Sequence, residues 1–196
     1  KLSSSLSINL EHEDFNFSGG FEGYENLSGK SSDRYQYVLP YYNFSKEFIM
    51  DENLGIISFN SSGSNNLKNT NNLRSRIINN AHYASSDFIS NLGIKNNLNI
   101  HFKNLNTAAK NDTDYKSSPQ IELMSIFEAQ SSLPMIKFGE NYDSYFEPKI
   151  SFRFNPGHMK DYSSSSRRIS VANIFDINRL GISDAYEEGK SLTIGL

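Results

Sequence analysis

The residues whose types could carry chemistry are few and poorly placed for it. Glu11-His12-Glu13 sets three metal-ligand types in a row, but neighbours on a strand point to opposite faces, so the run reads as a turn. The four histidines, His12, His82, His101 and His158, sit in separate segments with no ligand spacing among them. Ser28-Gly29-Lys30-Ser31 has the end of a phosphate-binding loop, yet Tyr24 stands where its first glycine is required and no helical pattern follows. The serine runs at 3–5 and 163–166 lack an adjacent base or nucleophile elbow. Glu187-Glu188 adjoins Gly189, with no cleft evident to shift either carboxyl. The absence of cysteine excludes disulfides and thiolate metal sites. The expectation is a non-enzyme with no metal and no cofactor.

The side chains that recur in a pattern are cations on alternating segments. Along residues 88–102, Phe88, Leu92, Ile94, Leu98, Ile100 and Phe102 share one parity, while Asn91, Lys95, Asn97, Asn99 and His101 share the other. Along 146–154, Phe146, Pro148, Ile150, Phe152 and Phe154 oppose Glu147, Lys149, Ser151 and Arg153. Ile121, Leu123, Phe127, Ala129 and Leu133 oppose Glu122, Glu128 and Gln130, and Leu73, Ile77, Ala81 and Tyr83 oppose Arg74, Arg76, Asn80 and His82. Leu2, Leu6, Ile8 and Leu10 form a further apolar face. Period-two alternation predicts strands with one apolar and one wet face. With further candidates at 15–27, 35–48 and 54–62, about nine strands are expected. Polar connections are expected at 28–33, 65–72, 85–86, 104–119 and 156–166, short ones alternating with long ones.

Two architectures suit such strands. A soluble sandwich packs its apolar faces together and uses strands of about 5–6 residues. A membrane β-barrel turns them to lipid and needs about 9–11 residues per crossing. The length of the 88–102 segment, with Lys95 and His101 on its wet face, favours the barrel. Mean hydropathy of −0.55 and 37% hydrophobic residues do not oppose it, because only alternate residues meet lipid. A net charge of −3 points to neither nucleic acid nor a polybasic membrane anchor. Both ends fall inside strand patterns and no signal peptide is visible, so residues 1–196 are expected to be part of one larger barrel domain.

The C-terminal third carries a more particular signal. Tyr145-Phe146-Glu147-Pro148-Lys149, then 152–156, resembles the aromatic-Glu-Pro-basic strand of LptD, the LPS-assembly barrels of Gram-negative outer membranes. Asn173-Ile174-Phe175-Asp176-Ile177-Asn178-Arg179-Leu180-Gly181-Ile182-Ser183-Asp184, then Glu188-Gly189 and the strand to Leu196, resembles that family's Asn-Leu-Phe…Asn-Arg loop. Arg34 to Pro40 resembles the Leu-Pro strand of its alphaproteobacterial members. Gly181 directly after Leu180, and Ala185 in place of an arginine, depart from the pattern.

The resemblance implies an outer-membrane location and a barrel-wall role in placing lipopolysaccharide in the outer leaflet. The implied partners are lipopolysaccharide, outer-membrane lipid, the plug lipoprotein LptE, and the periplasmic Lpt bridge through an N-terminal jelly-roll domain that this sequence lacks. Arg74, Arg76, Lys95, Lys149 and Arg153 are then candidate lumen residues, which either contact ligand or plug or simply pair with Glu122, Glu128 and Glu147. Asn173, Phe175, Asn178, Arg179, Gly181, Asp184, Glu188 and Gly189 form a candidate loop, either an ordered cap of the barrel or an ordinary hairpin loop. Arg179 has Asp184 within reach as a partner. A porin or receptor barrel, and a secreted β-sandwich adhesin, remain alternatives.

Overall fold

A computed structural model describes residues 2–27, 35–51, 53–159 and 167–196. The 28–31 stretch, Arg34 and the serine run at 163–166 lie outside the described residues. Twelve strands are formed and, among the described residues, no helix. They are β1 (Leu2–Glu11), β2 (Phe15–Glu25), β3 (Tyr35–Asp51), β4 (Gly55–Lys68), β5 (Asn72–Ala84), β6 (Phe88–Ile89), β7 (Lys95–Lys110), β8 (Gln120–Ser132), β9 (Met135–Lys137), β10 (Ser144–Phe146), β11 (Lys149–Asn155) and β12 (Gly189–Gly195).

Ten of these build one large sheet in the order β1-β2-β3-β4-β5-β7-β8-β11-β12, with β6 paired to β7. It is an antiparallel meander: Leu6 faces Phe21, Phe152 faces Ala129 on β8, and the same Phe152 faces Leu192 on β12. β9 and β10 form a separate two-stranded sheet. The described chain divides into two compact units. The first comprises Lys1–Phe48, Ser58–Ala81 and Lys103–Leu123; the second comprises Ile49–Ile57, His82–Phe102 and Met124–Leu196.

Several expected boundaries are corrected. The 88–102 segment is two strands, because Ser90 N donates to Ile94 O at 2.9 Å and Gly93 takes φ 80°, folding β6 back on β7. The connection after β5 therefore spans more than residues 85–86. β7 runs on to Lys110 through part of the expected 104–119 loop. Its alternation persists there but changes sense: Asn104 and Asn106 take the outer parity, and Leu105, Thr107 and Ala109 the buried one. Pro148 has no N–H for a ladder, so the expected 146–154 strand is cut into β10 and β11. β4 continues to Lys68, and a tight turn with Asn69 and Thr70 at φ 52° and 53° replaces most of the 65–72 loop.

The polarity of the sheet is inverted relative to a soluble one. In the second unit, Ile150, Phe152, Leu192 and Ile194 are exposed, while Ser151, Arg153, Asn155 and Thr193, one residue away in each strand, are buried. On β8, Phe127 is exposed and Glu128 is buried. In the first unit, Leu6, Ile8, Leu73, Ile77, Ile121 and Leu123 are exposed, with Leu123 as high as 78%, whereas Lys103 and Thr107 are buried. A water-soluble antiparallel sheet buries its apolar parity. A modest apolar core exists on the buried parity as well, from Ile78, Leu105 and Ala109 in the first unit and Met124 and Ile126 in the second.

Candidate functional site

The polar face of the second unit converges on β11. Alternation places Ser151, Arg153 and Asn155 on one face, and the β8 ladder sets Glu128 directly opposite Arg153. Ser151 Oγ donates to Glu128 Oε1 at 2.9 Å, and Asn99 Nδ2 reaches Oε2 at 3.4 Å. The same unit holds His82 stacked on His101, their ring centroids 3.8 Å apart. Burying so many polar groups is tolerable only where they satisfy one another or face water or ligand.

The connection between β11 and β12 folds back onto this face. Asn155 Nδ2 donates to Glu187 O at 2.8 Å, and Arg179 Nε donates to Glu187 Oε2 at 2.9 Å. Arg153 Nη1 approaches the same carboxylate oxygen at 3.6 Å and the Glu187 carbonyl at 3.4 Å. One carboxylate therefore lies between two guanidiniums. Ile182, Ala185 and Tyr186 are buried around it, and that burial pushes the Tyr186 phenol up. Among the described residues, Arg153 Nε and Nη2 are buried without a hydrogen-bond acceptor.

Local chemistry explains why this segment has a fixed shape. Asn173 Oδ1 accepts from Ser170 N at 2.6 Å and its Nδ2 donates to Arg168 O. Asn178 grips Ile182 twice, donating from Nδ2 to its carbonyl and accepting its N–H at Oδ1. Between them Gly181 takes φ 60°, which an L side chain resists, and Arg167 Nη1 donates to its carbonyl at 2.7 Å. Phe175 lies against Gly195, where a Cβ would come within 2.8 Å of its ring, and Lys149 Nζ stands 5.0 Å from the centroid of that ring. Glu188 accepts from Met159 N, Asp184 is half-buried, and Gly189 opens β12 at φ 91°.

The expected site residues thus separate into groups. Arg153 and Arg179 meet at Glu187, Lys149 lies against Phe175 at the other end of β11, and Lys95 pairs with Asp87 at 2.8 Å in the same unit. Arg74 and Arg76 belong to the first unit. There Arg74 forks onto Asp112, at 2.6 and 2.9 Å, reaches Asp114 at 2.7 Å, and lies over Tyr115. Of the carboxylates expected to pair with these cations, Glu128 stands opposite Arg153 in the β8 ladder and Glu147 feels the charges of Lys149 and Lys95, while loop carboxylates hold Arg74 and Glu187 lies against Arg153 and Arg179. Glu147 accepts from Tyr145 Oη at 2.6 Å, and that bond, with Ser132 and the charges of Lys149 and Lys95, holds its carboxyl below the ordinary range. Glu187 is the residue the sequence reading missed, set aside as a turn carboxylate without a cleft. Its signal was Arg179 in the same loop and Arg153 on the wet parity, two cations needing a counter-charge. Glu11 ends β1 opposite Asn16, and His12 and Glu13 lie in the turn that His12 N closes on Phe15 O at 2.9 Å; no three metal-ligand residues cluster among the described residues.

No protein-family model matches the chain, and no curated protein matches it.

Proposed function

We propose that this chain is barrel wall in an outer-membrane β-barrel that transports lipopolysaccharide, with its exposed apolar parity against lipid and its buried polar parity against a hydrated interior. The inverted polarity carries this reading. A face presenting Ile150, Phe152, Leu192 and Ile194 beside buried Ser151, Arg153 and Thr193 is unfavourable in water and favourable in a bilayer. Strand lengths add support. β3 has 17 residues, β4 has 14 and β7 has 16, above the roughly 9–11 that a tilted crossing requires, whereas β11 and β12 have 7 each. In lipid the edges β1 and β12 each need a strand partner.

The lipopolysaccharide assignment rests on the resemblance of 145–196 to LptD barrels, and the docked 173–189 segment fits an ordered cap. A phosphorylated, acylated sugar needs a polar conduit for its head beside a lipid phase for its chains, and this sheet supplies one face for each. The test is depletion of the full-length protein in its own cells, followed by arrival of pulse-labelled lipopolysaccharide at the cell surface. Arrest of arrival is expected. Unchanged arrival with loss of small-solute uptake would make the barrel a porin, and recovery of the protein in the soluble fraction would remove the membrane reading altogether.

A further inference from the structure

We propose that Arg153 and Arg179 form a phosphate-binding subsite whose place the loop's own Glu187 carboxylate takes, so that segment 173–189 and a phosphate-bearing headgroup compete for the same two guanidiniums. This deepens the reading above and rests on it for the source of the headgroup.

The geometry is that of an internal anion in a cationic site. Glu187 Oε2 accepts from Arg179 Nε at 2.9 Å and stands 3.6 Å from Arg153 Nη1. Glu128, opposite Arg153, supplies one negative charge beside these two guanidiniums while its oxygens accept from Ser151 and Asn99, so one further anion is needed to balance the pair. Arg153 is only 3% exposed, yet its Nε and Nη2 have no acceptor among the described residues. Glu187 therefore uses a minority of the donors that the site presents. A phosphate offers more oxygens than a carboxylate and suits the planar fork of arginine, so it can engage Nε and Nη2 that Glu187 leaves unused.

The competitor is held by contacts that can be exchanged. Besides the two arginines, Asn155 Nδ2 holds the Glu187 carbonyl at 2.8 Å. Positive-φ glycines, Gly181 at 60° and Gly189 at 91°, stand on either side of Glu187. No heavy atom would meet a Cβ at Gly189 within 4 Å, so that pivot has room. Departure of Glu187 would leave two buried guanidiniums with Glu128, opposite Arg153, as their nearby carboxylate, a shortfall of negative charge that an incoming anion offsets.

Two variants separate this subsite from a purely structural latch. Glu187→Gln and Arg179→Gln each break the 2.9 Å pair, so both should speed amide exchange across residues 173–189 in the full-length protein in detergent micelles. Their effects on inorganic phosphate affinity, measured by calorimetry at constant ionic strength, should be opposite. Glu187→Gln removes the competitor and should tighten phosphate binding about tenfold, because the free site is no longer mostly occupied. Arg179→Gln should weaken it below detection. In the unmodified protein, phosphate should speed exchange of 173–189 where chloride does not.

Micelles doped with phosphatidic acid, or with phosphatidylcholine alone, distinguish a lipid headgroup from a free anion. A response to phosphatidic acid supports the first source, and a response to inorganic phosphate only supports the second. Equal responses to both lipids, or parallel affinity changes in the two variants, would overturn the proposal. A label on Leu192→Cys that behaves as water-exposed would overturn the membrane reading while leaving the phosphate result to stand or fall on its own.

Discussion

An arginine placed at Ile194 should be far more costly than its surface exposure suggests. Ile194 is 74% exposed and its ladder partner is Ile150. In a soluble sheet, replacing so exposed a side chain changes stability by about 0.5 kcal/mol or less. In a bilayer the depth of the site decides. Lys190 shares the outer parity, four residues from Ile194, with its ammonium 5.5 Å from the centroid of the Phe154 ring, and so marks the rim of the apolar band. Four residues rise about 13 Å along a strand, or roughly 9–10 Å along the membrane normal at a tilt of about 45°. The apolar band of such barrels is about 25 Å tall, which puts Ile194 close to its middle. Ile194→Arg should then destabilise by about 2–4 kcal/mol. The assay is urea titration of the full-length protein folded into vesicles, read by linear extrapolation. A cost below about 0.5 kcal/mol for Ile194→Arg would refute the lipid-facing assignment of this parity.

The remaining predictions concern the loops. Hydrogen bonding to Arg74, its leading cause, holds the Asp112 carboxyl down to about 2, from 3.8. The folded value lies below the unfolded one, so the pair contributes fully above about pH 4 and is lost as pH falls towards 2. Arg74→Gln should return the Asp112 titration to the ordinary carboxylate range, as carboxyl NMR would record. Gly195→Ala places a Cβ 2.8 Å from the Phe175 ring and should expose the 173–189 segment to protease while the strands stay protected. Asn155→Ala removes the 2.8 Å bond to Glu187 O and should cost about 1 kcal/mol, with faster amide exchange confined to the same segment.

The strands were legible in the sequence because alternation is a local signal: β1 keeps Leu2, Leu6, Ile8 and Leu10 on one exposed parity, while β5 and β8 also bury Ile78, Met124 and Ile126 on the other. It misled where that parity changed sense. Beyond Phe102 the outer face of β7 becomes Asn104 and Asn106 and the inner face Leu105 and Ala109, so a pattern tied to one polarity ended the strand early. The β6 turn was hidden for another reason, since Phe88, Leu92 and Ile94 keep parity across a chain reversal that only Gly93 betrays. In the site, Arg153 was visible from its place between Phe152 and Phe154. Glu187 was not, because its role depends on a loop returning across 34 positions of sequence to reach Arg153, and no local periodicity encodes that return.

Whether the exposed apolar parity faces lipid can be read from spin labels placed singly at residues 191–194 of the full-length protein in vesicles. Labels at Leu192 and Ile194 should collide with dissolved oxygen and be shielded from a water-soluble nickel reagent, while labels at Ser191 and Thr193 should not be oxygen-exposed in this way. Labels at Leu192 and Ile194 that meet the nickel reagent as freely as a solvated surface site would contradict the lipid-facing assignment.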